Sequence, residues 1–175
     1  MSQTLAAGIA AWMLVGLTFE LPPSSDDVLE MMAKVPPAGA YVRTGHARQI
    51  AEAIADHATA LEGLSLRETE ALLVVYAARE SANTLCVKGD GGRSLGTFQL
   101  QGVSEGVACD PAQAVTAWLG RASASIALCA SNAPEERLAA LASGSCDHGR
   151  LVARARMLLA RQIASRDAGD ALPLE

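Results

Sequence analysis

The residues best suited to chemistry in this sequence are two carboxylates, Glu80 and Asp90. Glu80 falls in the last turn of a predicted helix, where the negative end of the helix dipole and partial burial favour the protonated form of a carboxyl. Arg79 lies on another face of that helix, because neighbours on a helix surface are three or four residues apart. A protonated carboxyl can act as a general acid, and Asp90 is the first candidate for a partner base.

A helix and the loop that follows it must position these carboxylates. Residues 66–81 carry apolar side chains at helical spacing, and Ser65 with Glu68 forms a capping box that marks the start. A glycine-rich loop, 88–96, comes next, and then the short run 97–100. Each carboxylate also has a plainer interpretation, because a Glu at a helix end is usually solvated and Asp-Gly-Gly is a favourable turn.

Three motifs follow one another here: a Glu-Ser pair at a helix end, a glycine-rich loop, and a Gly-x-x-Gln run. In this chain they are Glu80-Ser81, the loop 88–96, and Gly96-Thr97-Phe98-Gln99. In this order they resemble the lysozyme-like superfamily, and within it the lytic transglycosylases and goose-type lysozymes. The resemblance covers residues 65–165. It implies a mainly α fold, a lysozyme-like helical lobe with a Gly-rich active-site loop and a short extended segment.

The reaction that the resemblance implies is cleavage of the β-1,4 bond between N-acetylmuramic acid and N-acetylglucosamine in peptidoglycan. Glu80 would be the general acid. A transglycosylase manages with that acid alone, whereas an inverting hydrolase needs a base about 6.5–9.5 Å away. For that base, Asp90 is the better candidate and Glu105 the weaker one.

The residues that the resemblance implies for substrate binding are Ser81, Gly96, Phe98, Gln99 and Tyr76. Ser81 would steady the acid, while Gln99 and the backbone before it would bind the N-acetyl group or pack the loop. Lytic transglycosylases carry a tyrosine near the acid where this chain has Leu141; Tyr76 could substitute for it or belong to the core. The missing tyrosine keeps a second function open, a non-catalytic module that binds wall glycan or builds part of a virion or secretion assembly.

Four cysteines, Cys86, Cys109, Cys129 and Cys146, lie inside the region of resemblance. None has a metal-ligand spacing, so we predict no metal site and no cofactor. Their even number favours two disulfides, with three connectivities open and four buried free thiols as the alternative. We favour Cys86–Cys109 with Cys129–Cys146, which would tie the ends of the active-site loop and close the next helical hairpin. Disulfides would indicate an oxidising compartment.

Composition and charge narrow the class of protein further. The chain of 175 residues is 50% hydrophobic, enough to bury a core, and has only two Trp, two Tyr and two Phe, which favours packed helices. Its net charge of −5 and the lack of a basic stripe argue against nucleic acid as a partner. The acid excess lies in residues 1–70, largely outside the region of resemblance.

The start of the chain is apolar. We divide the sequence into an apolar N-terminal segment, a helical extension, a catalytic domain and a loose tail, at residues 1–21, 22–64, 65–165 and 166–175. The apolar run 5–17 is shorter than the roughly 20 residues that span a bilayer. A signal peptide, a weak membrane anchor through residues 5–19 and a packing helix all stay open. We expect an exported protein, periplasmic, extracellular or envelope-associated, which could be phage-encoded.

Further helices are predicted from capping residues and apolar periodicity. They cover residues 28–35, 45–61, 111–129, 132–143 and 149–163. Trp118 should point inwards from the third of these helices. His46 and His57 should lie on the surface, because their spacing does not suit a zinc helix.

Overall fold

The computed structural model of the chain describes residues 24–35 and 45–168. These residues form a mainly α structure, as composition predicts. The α-helices are α1 Ser25–Ala33, α2 Gly45–His57, α3 Leu66–Ser81, α4 Glu105–Cys109, α5 Pro111–Leu128, α6 Ala139–Ser143 and α7 Arg150–Ala168. The strands are β1 Lys88–Gly89, β2 Ser94–Leu95 and β3 Leu100–Gln101. Among the described helices, none is both long and apolar enough to cross a bilayer. The predictions for segment 1–21 lie outside the described residues.

Helix α3 is the centre of the fold. It begins where the capping box predicts: Ser65 Oγ accepts from the Glu68 N–H, and the Glu68 carboxylate accepts from the Ser65 N–H at 2.8 Å. Its buried residues run without a break from Thr69 to Ala77, so neighbouring elements must cover it all round. Helices α1, α2 and α7 pack against it. Glu80 lies in its last turn, before Ala82 ends it at φ 52°.

Helices α1 and α2 form the helical extension next to α3. Helix α1 begins after the N-cap Ser24, three residues earlier than predicted, because Ser24 and Asp27 form a capping box. Helix α2 ends at His57, so its predicted extension to residue 61 is wrong. The Leu61 N–H instead donates to Thr69 Oγ1 at 3.1 Å, which anchors the turn into α3. His57 is exposed, as predicted, and so is His46.

Helix α5 confirms its predicted start. Asp110 Oδ1 accepts a hydrogen bond from the Gln113 N–H at 2.9 Å, and Pro111 occupies the first turn. Trp118 points into the core and is 1% exposed. The short helix α4, just before α5, was not predicted; Ser104 caps it by accepting from the Val107 N–H.

The predicted helix 132–143 is wrong as a single element. It divides into a 3₁₀ turn at Pro134–Glu136 and the short helix α6. The hydroxyl of Ser125, on α5, donates to the Arg137 carbonyl at 3.0 Å and accepts from the Leu141 N–H at 3.0 Å. A side chain from another helix therefore takes backbone groups that a continuous helix would pair internally. The final helix, α7, extends past its predicted end at residue 163.

The glycine-rich loop contains a small antiparallel sheet in the order β1-β2-β3. Lys88 pairs with Leu95, and Leu95 pairs with Leu100. A 3₁₀ turn, Asp90–Gly92, connects β1 to β2, and within it Gly91 has φ 67°, a conformation that favours glycine. Pairing of the flanking strands holds Asp90 at the tip of a hairpin.

Both favoured disulfides are confirmed. Cys86–Cys109 joins the start of the loop to the end of α4, with Cα atoms 4.6 Å apart. Cys129–Cys146 joins the end of α5 to the segment before α7, with Cα atoms 5.4 Å apart. Each bridge can stabilise the fold by about 2–4 kcal/mol. The first one fixes the loop that carries Asp90 relative to the helices.

Candidate active site

One cleft of about 380 Å³ brings together most of the residues that the sequence singles out. Glu80, at the end of α3, and Asp90, at the hairpin tip, both line it. Residues 140–144, from α6 and its glycine cap, form another part of its wall. Four more of the sequence candidates line the same cleft: Tyr76, Phe98, Gln99 and Leu141. The helix end and the loop after it therefore meet around one open space.

Glu80 is held by an arginine from the last helix. Arg156 Nη1 lies 2.5 Å from Glu80 Oε1, and the two side chains form an ion pair. The two side chains are 18% and 28% exposed, so the pair is only partly reached by solvent. Arg79 is exposed and lines a different groove, which agrees with its predicted separation from Glu80. Glu80 is instead half of an ion pair with an arginine that the sequence did not indicate.

Tyr76, Phe98 and Trp118 form an aromatic floor below the cleft. The ring centres of Tyr76 and Trp118 are 5.0 Å apart, edge to face, and those of Phe98 and Trp118 are 6.0 Å apart. The guanidinium carbon of Arg156 lies 4.3 Å from the centre of the Tyr76 ring, a cation–π contact. Burial raises the pKa of Tyr76, and the positive charge of Arg156 opposes that shift. Tyr76 is thus a core residue that also supports the partner of Glu80.

Asp90 combines a turn role with a place in the cleft. It is exposed and adopts a positive φ of 49°. Its Oδ2 accepts a hydrogen bond from Ser94 Oγ at 2.5 Å, and its carbonyl accepts one from Arg93 Nε at 3.2 Å. Both interpretations of Asp90 therefore fit its position, because the carboxylate stabilises the hairpin tip and still lines the cleft.

Gln99 fixes the loop from within. Its Nε2 donates to the Val87 carbonyl at 3.1 Å and to the Gly96 carbonyl at 2.9 Å. Gly89 makes room for the amide, because a Cβ at that position would collide with Gln99 Oε1. Of the two roles expected for Gln99, the hydrogen bonds account for loop packing; binding of an N-acetyl group stays a prediction.

Ser81 and Gly96 are not among the residues that line the cleft. Ser81 Oγ donates to the Ala77 carbonyl at 3.0 Å and accepts from the Thr84 N–H at 3.2 Å, so its hydroxyl hydrogen bonds cap the end of α3. Gly96 has φ 74°, and a Cβ there would collide with the Ala108 carbonyl. Both residues therefore shape the loop and the helix end that carry the site, which differs from the direct role expected for Ser81.

Glu105, the weaker candidate base, lies away from the cleft. It pairs with Lys88 Nζ at 3.1 Å, and both side chains are more than half exposed. Sequence reasoning missed two arginines. Arg121 lines the cleft and donates to the Gln101 carbonyl; its position three residues after the inward-facing Trp118 is a signal that could have located it. No local pattern links Arg156 to the site.

Comparison with protein-family models, curated proteins and solved structures finds no match to this chain. Within the part of the chain that the structure describes, no group of His, Cys, Asp and Glu side chains is arranged to hold a metal ion. Function is therefore inferred from the residues of the cleft.

Proposed function

We propose that this chain is a peptidoglycan-cleaving glycosidase, a muramidase or a lytic transglycosylase, that acts on the β-1,4 bond between N-acetylmuramic acid and N-acetylglucosamine. Glu80 is the general acid. The observation that carries the proposal is that Glu80 and Asp90 line one cleft of about 380 Å³. A space of that size falls within the range of about 300–1,000 Å³ that is common for small-molecule sites.

In a transglycosylase the two halves of the reaction make different demands on Glu80. In the first half its protonated carboxyl gives a proton to the leaving oxygen. In the second half it is ionised and accepts a proton from the attacking group, and Arg156 then serves as its counter-ion at 2.5 Å. A hydrolase of the inverting type would use Asp90 as the base that activates water. A transglycosylase would use Glu80 alone, with the muramoyl 6-hydroxyl as nucleophile and a 1,6-anhydro end as product.

The walls of the cleft suit a glycan with acidic substituents. Gln101 and Ser143 line it with polar side chains, and Arg121 adds a positive charge. The same lining holds the carboxylates of Glu80 and Asp90, so Arg121 offers one local positive charge to an acidic substituent, although the whole chain carries a net charge of −5. The aromatic floor keeps the base of the cleft rigid and apolar.

Two observations favour a second candidate, a lysozyme-like module that binds wall glycan or serves a structural role without cleaving it. Leu141 lines the cleft where a tyrosine would be expected, so one polar group next to the acid is missing. Glu80 is also paired with Arg156, and a general acid must lose that pairing to take up its proton. Both features fit a cleft that retains binding and has lost turnover.

Turnover on purified peptidoglycan separates the two candidates. The full chain, with both disulfides formed, is incubated with peptidoglycan, and the released muropeptides are identified by mass spectrometry. Glu80→Gln should lower release by a factor of about 100 or more. Glu52→Gln, on the exposed face of α2, is the matched control and should release as much as the unchanged protein.

The products decide the type of enzyme. Anhydro-muramoyl ends that persist in Asp90→Asn indicate a transglycosylase, whereas reducing ends that Asp90→Asn abolishes indicate an inverting hydrolase. No release by the folded, unchanged protein refutes the glycosidase. Retained binding to insoluble peptidoglycan in that case supports the non-catalytic module.

A further inference from the structure

The face of α7 that turns away from the core carries exposed apolar side chains. Leu151, Val152 and Leu158 are 80%, 46% and 51% exposed. Leu151 and Val152 also line a groove of about 340 Å³, whose other wall includes Val75 of α3. Single exposed apolar residues are common, but a set on one helix face beside a groove indicates a contact surface. We call the following residues the α7 stripe: Leu151, Val152, Ala155, Leu158 and Leu159.

Two arginines, Arg79 and Arg154, border the α7 stripe. Arg79 lines the groove on its α3 side. Arg154 lies within about 60° of Leu151 and Leu158 around the helix axis, because successive residues turn by about 100°. Among the described side chains of residues 24–35 and 45–165, neither arginine lies within ion-pair distance of a carboxylate, although Arg154 acts electrostatically on the Glu135 carboxylate. From Arg150 to Ser165 the sequence of α7 contains no acidic residue.

The other arginines of α7 whose side chains the structure describes differ in this respect. Arg150, Arg156 and Arg161 all pair with carboxylates of the same chain, at N–O distances between 2.5 and 3.3 Å. Their charges are therefore largely neutralised within the protein. Arg79 and Arg154 lie beside the exposed apolar residues, so the surface combines apolar side chains with positive charge on both sides.

We propose that the α7 stripe docks on the anionic surface of a lipid bilayer. Leu151 and Leu158 insert among the acyl chains near the headgroups, and Arg79 and Arg154 contact lipid phosphates. An apolar helix face with arginines beside it is the arrangement that binds such an interface. The net charge of −5 does not prevent this, because salt screens charges beyond about 8–10 Å and the local patch decides.

Two further observations favour lipid over a protein partner. The α7 stripe contains five side chains, fewer than the roughly 20–30 residues that a stable protein interface uses on each side. The sequence also holds the uncharged apolar run 5–17, and stable membrane attachment generally needs two weak signals together. This proposal does not depend on the glycosidase proposal, because it involves neither Glu80 nor Asp90.

Co-sedimentation of the full chain with lipid vesicles tests the proposal. Vesicles of phosphatidylcholine with phosphatidylglycerol are compared with vesicles of phosphatidylcholine alone. The unchanged protein should bind the anionic vesicles, and more weakly as salt rises. The double variant Leu151→Gln/Leu158→Gln should lower the partition coefficient about tenfold or more, because two apolar side chains lose their burial in lipid.

A second double variant probes the charges. Arg79→Gln/Arg154→Gln should lower binding to anionic vesicles about tenfold or more and reduce its salt dependence. The matched controls are Leu128→Gln, at a residue that is 69% exposed on α5, and Arg48→Gln on α2, whose side chain is 60% exposed. Both controls should bind as the unchanged protein does. Far-UV circular dichroism confirms that each variant is folded.

Several results would overturn the proposal. One is no binding to anionic vesicles by the unchanged protein. Another is equal binding to both kinds of vesicle. Binding that both double variants leave unchanged would assign attachment to another part of the chain, such as residues 5–17. Self-association without vesicle binding, abolished by Leu151→Gln/Leu158→Gln, would make the surface an interface between copies of this chain.

Discussion

Substitution of Glu70 by Gln tests whether a carboxyl buried in the core makes the stability of the fold depend on pH. Glu70 lies on α3, its side chain is 0% exposed, and neither carboxylate oxygen has a hydrogen-bond partner among the described residues. Burial raises the pKa of Glu70 to about 7; the positive charge of Arg67 opposes the shift, and the negative charge of Asp27 adds to it. The folded protein therefore resists ionisation of this group more than the unfolded chain does.

The pKa shift sets both the pH window and the size of the effect. Below the ordinary pKa of 4.5, Glu70 is protonated in both the folded and the unfolded state. Its burial then adds no charge penalty to the free energy of folding. Between 4.5 and about 7 the unfolded chain ionises while the folded one stays neutral, so stability falls as pH rises. Above about 7 both states are ionised and the loss is complete. One pKa unit corresponds to about 1.4 kcal/mol, so the full loss is about 3 kcal/mol.

Urea unfolding at about pH 5 and about pH 8 measures this effect. Relative to the unchanged protein, Glu70→Gln should gain about 2–3 kcal/mol more at the higher pH than at the lower one. The buried amide of Gln has its own cost, but that cost does not depend on pH. The control Glu52→Gln, on the exposed face of α2, should show no such difference. If the gap between Glu70→Gln and the unchanged protein is the same at both pH values, the reasoning about Glu70 is refuted.

Three further perturbations test other contacts. Gly96→Ala should destabilise the fold by more than about 2 kcal/mol, because φ is 74° and the added Cβ would collide with the Ala108 backbone. The control Gly120→Ala, at a helical position with open space around it, should stabilise the fold by about 0.5–1 kcal/mol. Thermal unfolding measures both changes. A double-mutant cycle of Arg156→Met and Glu80→Gln should give a coupling of about 1–2 kcal/mol in urea unfolding, since the pair is partly buried; additive effects would contradict the ion pair. Ser65→Ala should lower the free energy of unfolding by about 1 kcal/mol, because α3 loses its N-cap. No change in urea unfolding would mean that the capping box of Ser65 and Glu68 does not form in solution.

Local patterns predicted much of the fold because short-range contacts decide those features. The start of α3 at Ser65 and the start of α5 at Asp110 depend on a side chain and a backbone N–H three residues apart. The inward position of Trp118 follows from helical periodicity alone. The predicted helix 132–143 failed because the hydroxyl of Ser125, on α5, pairs with its backbone.

The sequence predicted several residues of the candidate site, but it did not predict all of their contacts. The sequence singled out Gly96 and Gln99, and the structure explains both residue types. Gly96 has a positive φ and lies against the Ala108 carbonyl, where a Cβ would collide. The Gln99 amide donates hydrogen bonds to two loop carbonyls. Ser81 has a capping role that its position next to Glu80 did not indicate.

The sequence by itself determined that this protein is mainly α, where the helices α3 and α5 begin, and that Glu80 lies in the last turn of α3. These properties arise from interactions within a few residues, which the order of side chains specifies directly. Only the tertiary structure decided that Asp90 shares a cleft with Glu80 and that Arg156 neutralises that carboxylate. The pair of Glu80 with Arg156 joins segments far apart in the chain and forms because α7 packs along α3. Asp90 is close to Glu80 in sequence, but its place in the cleft depends on the small sheet, which packs beside α4.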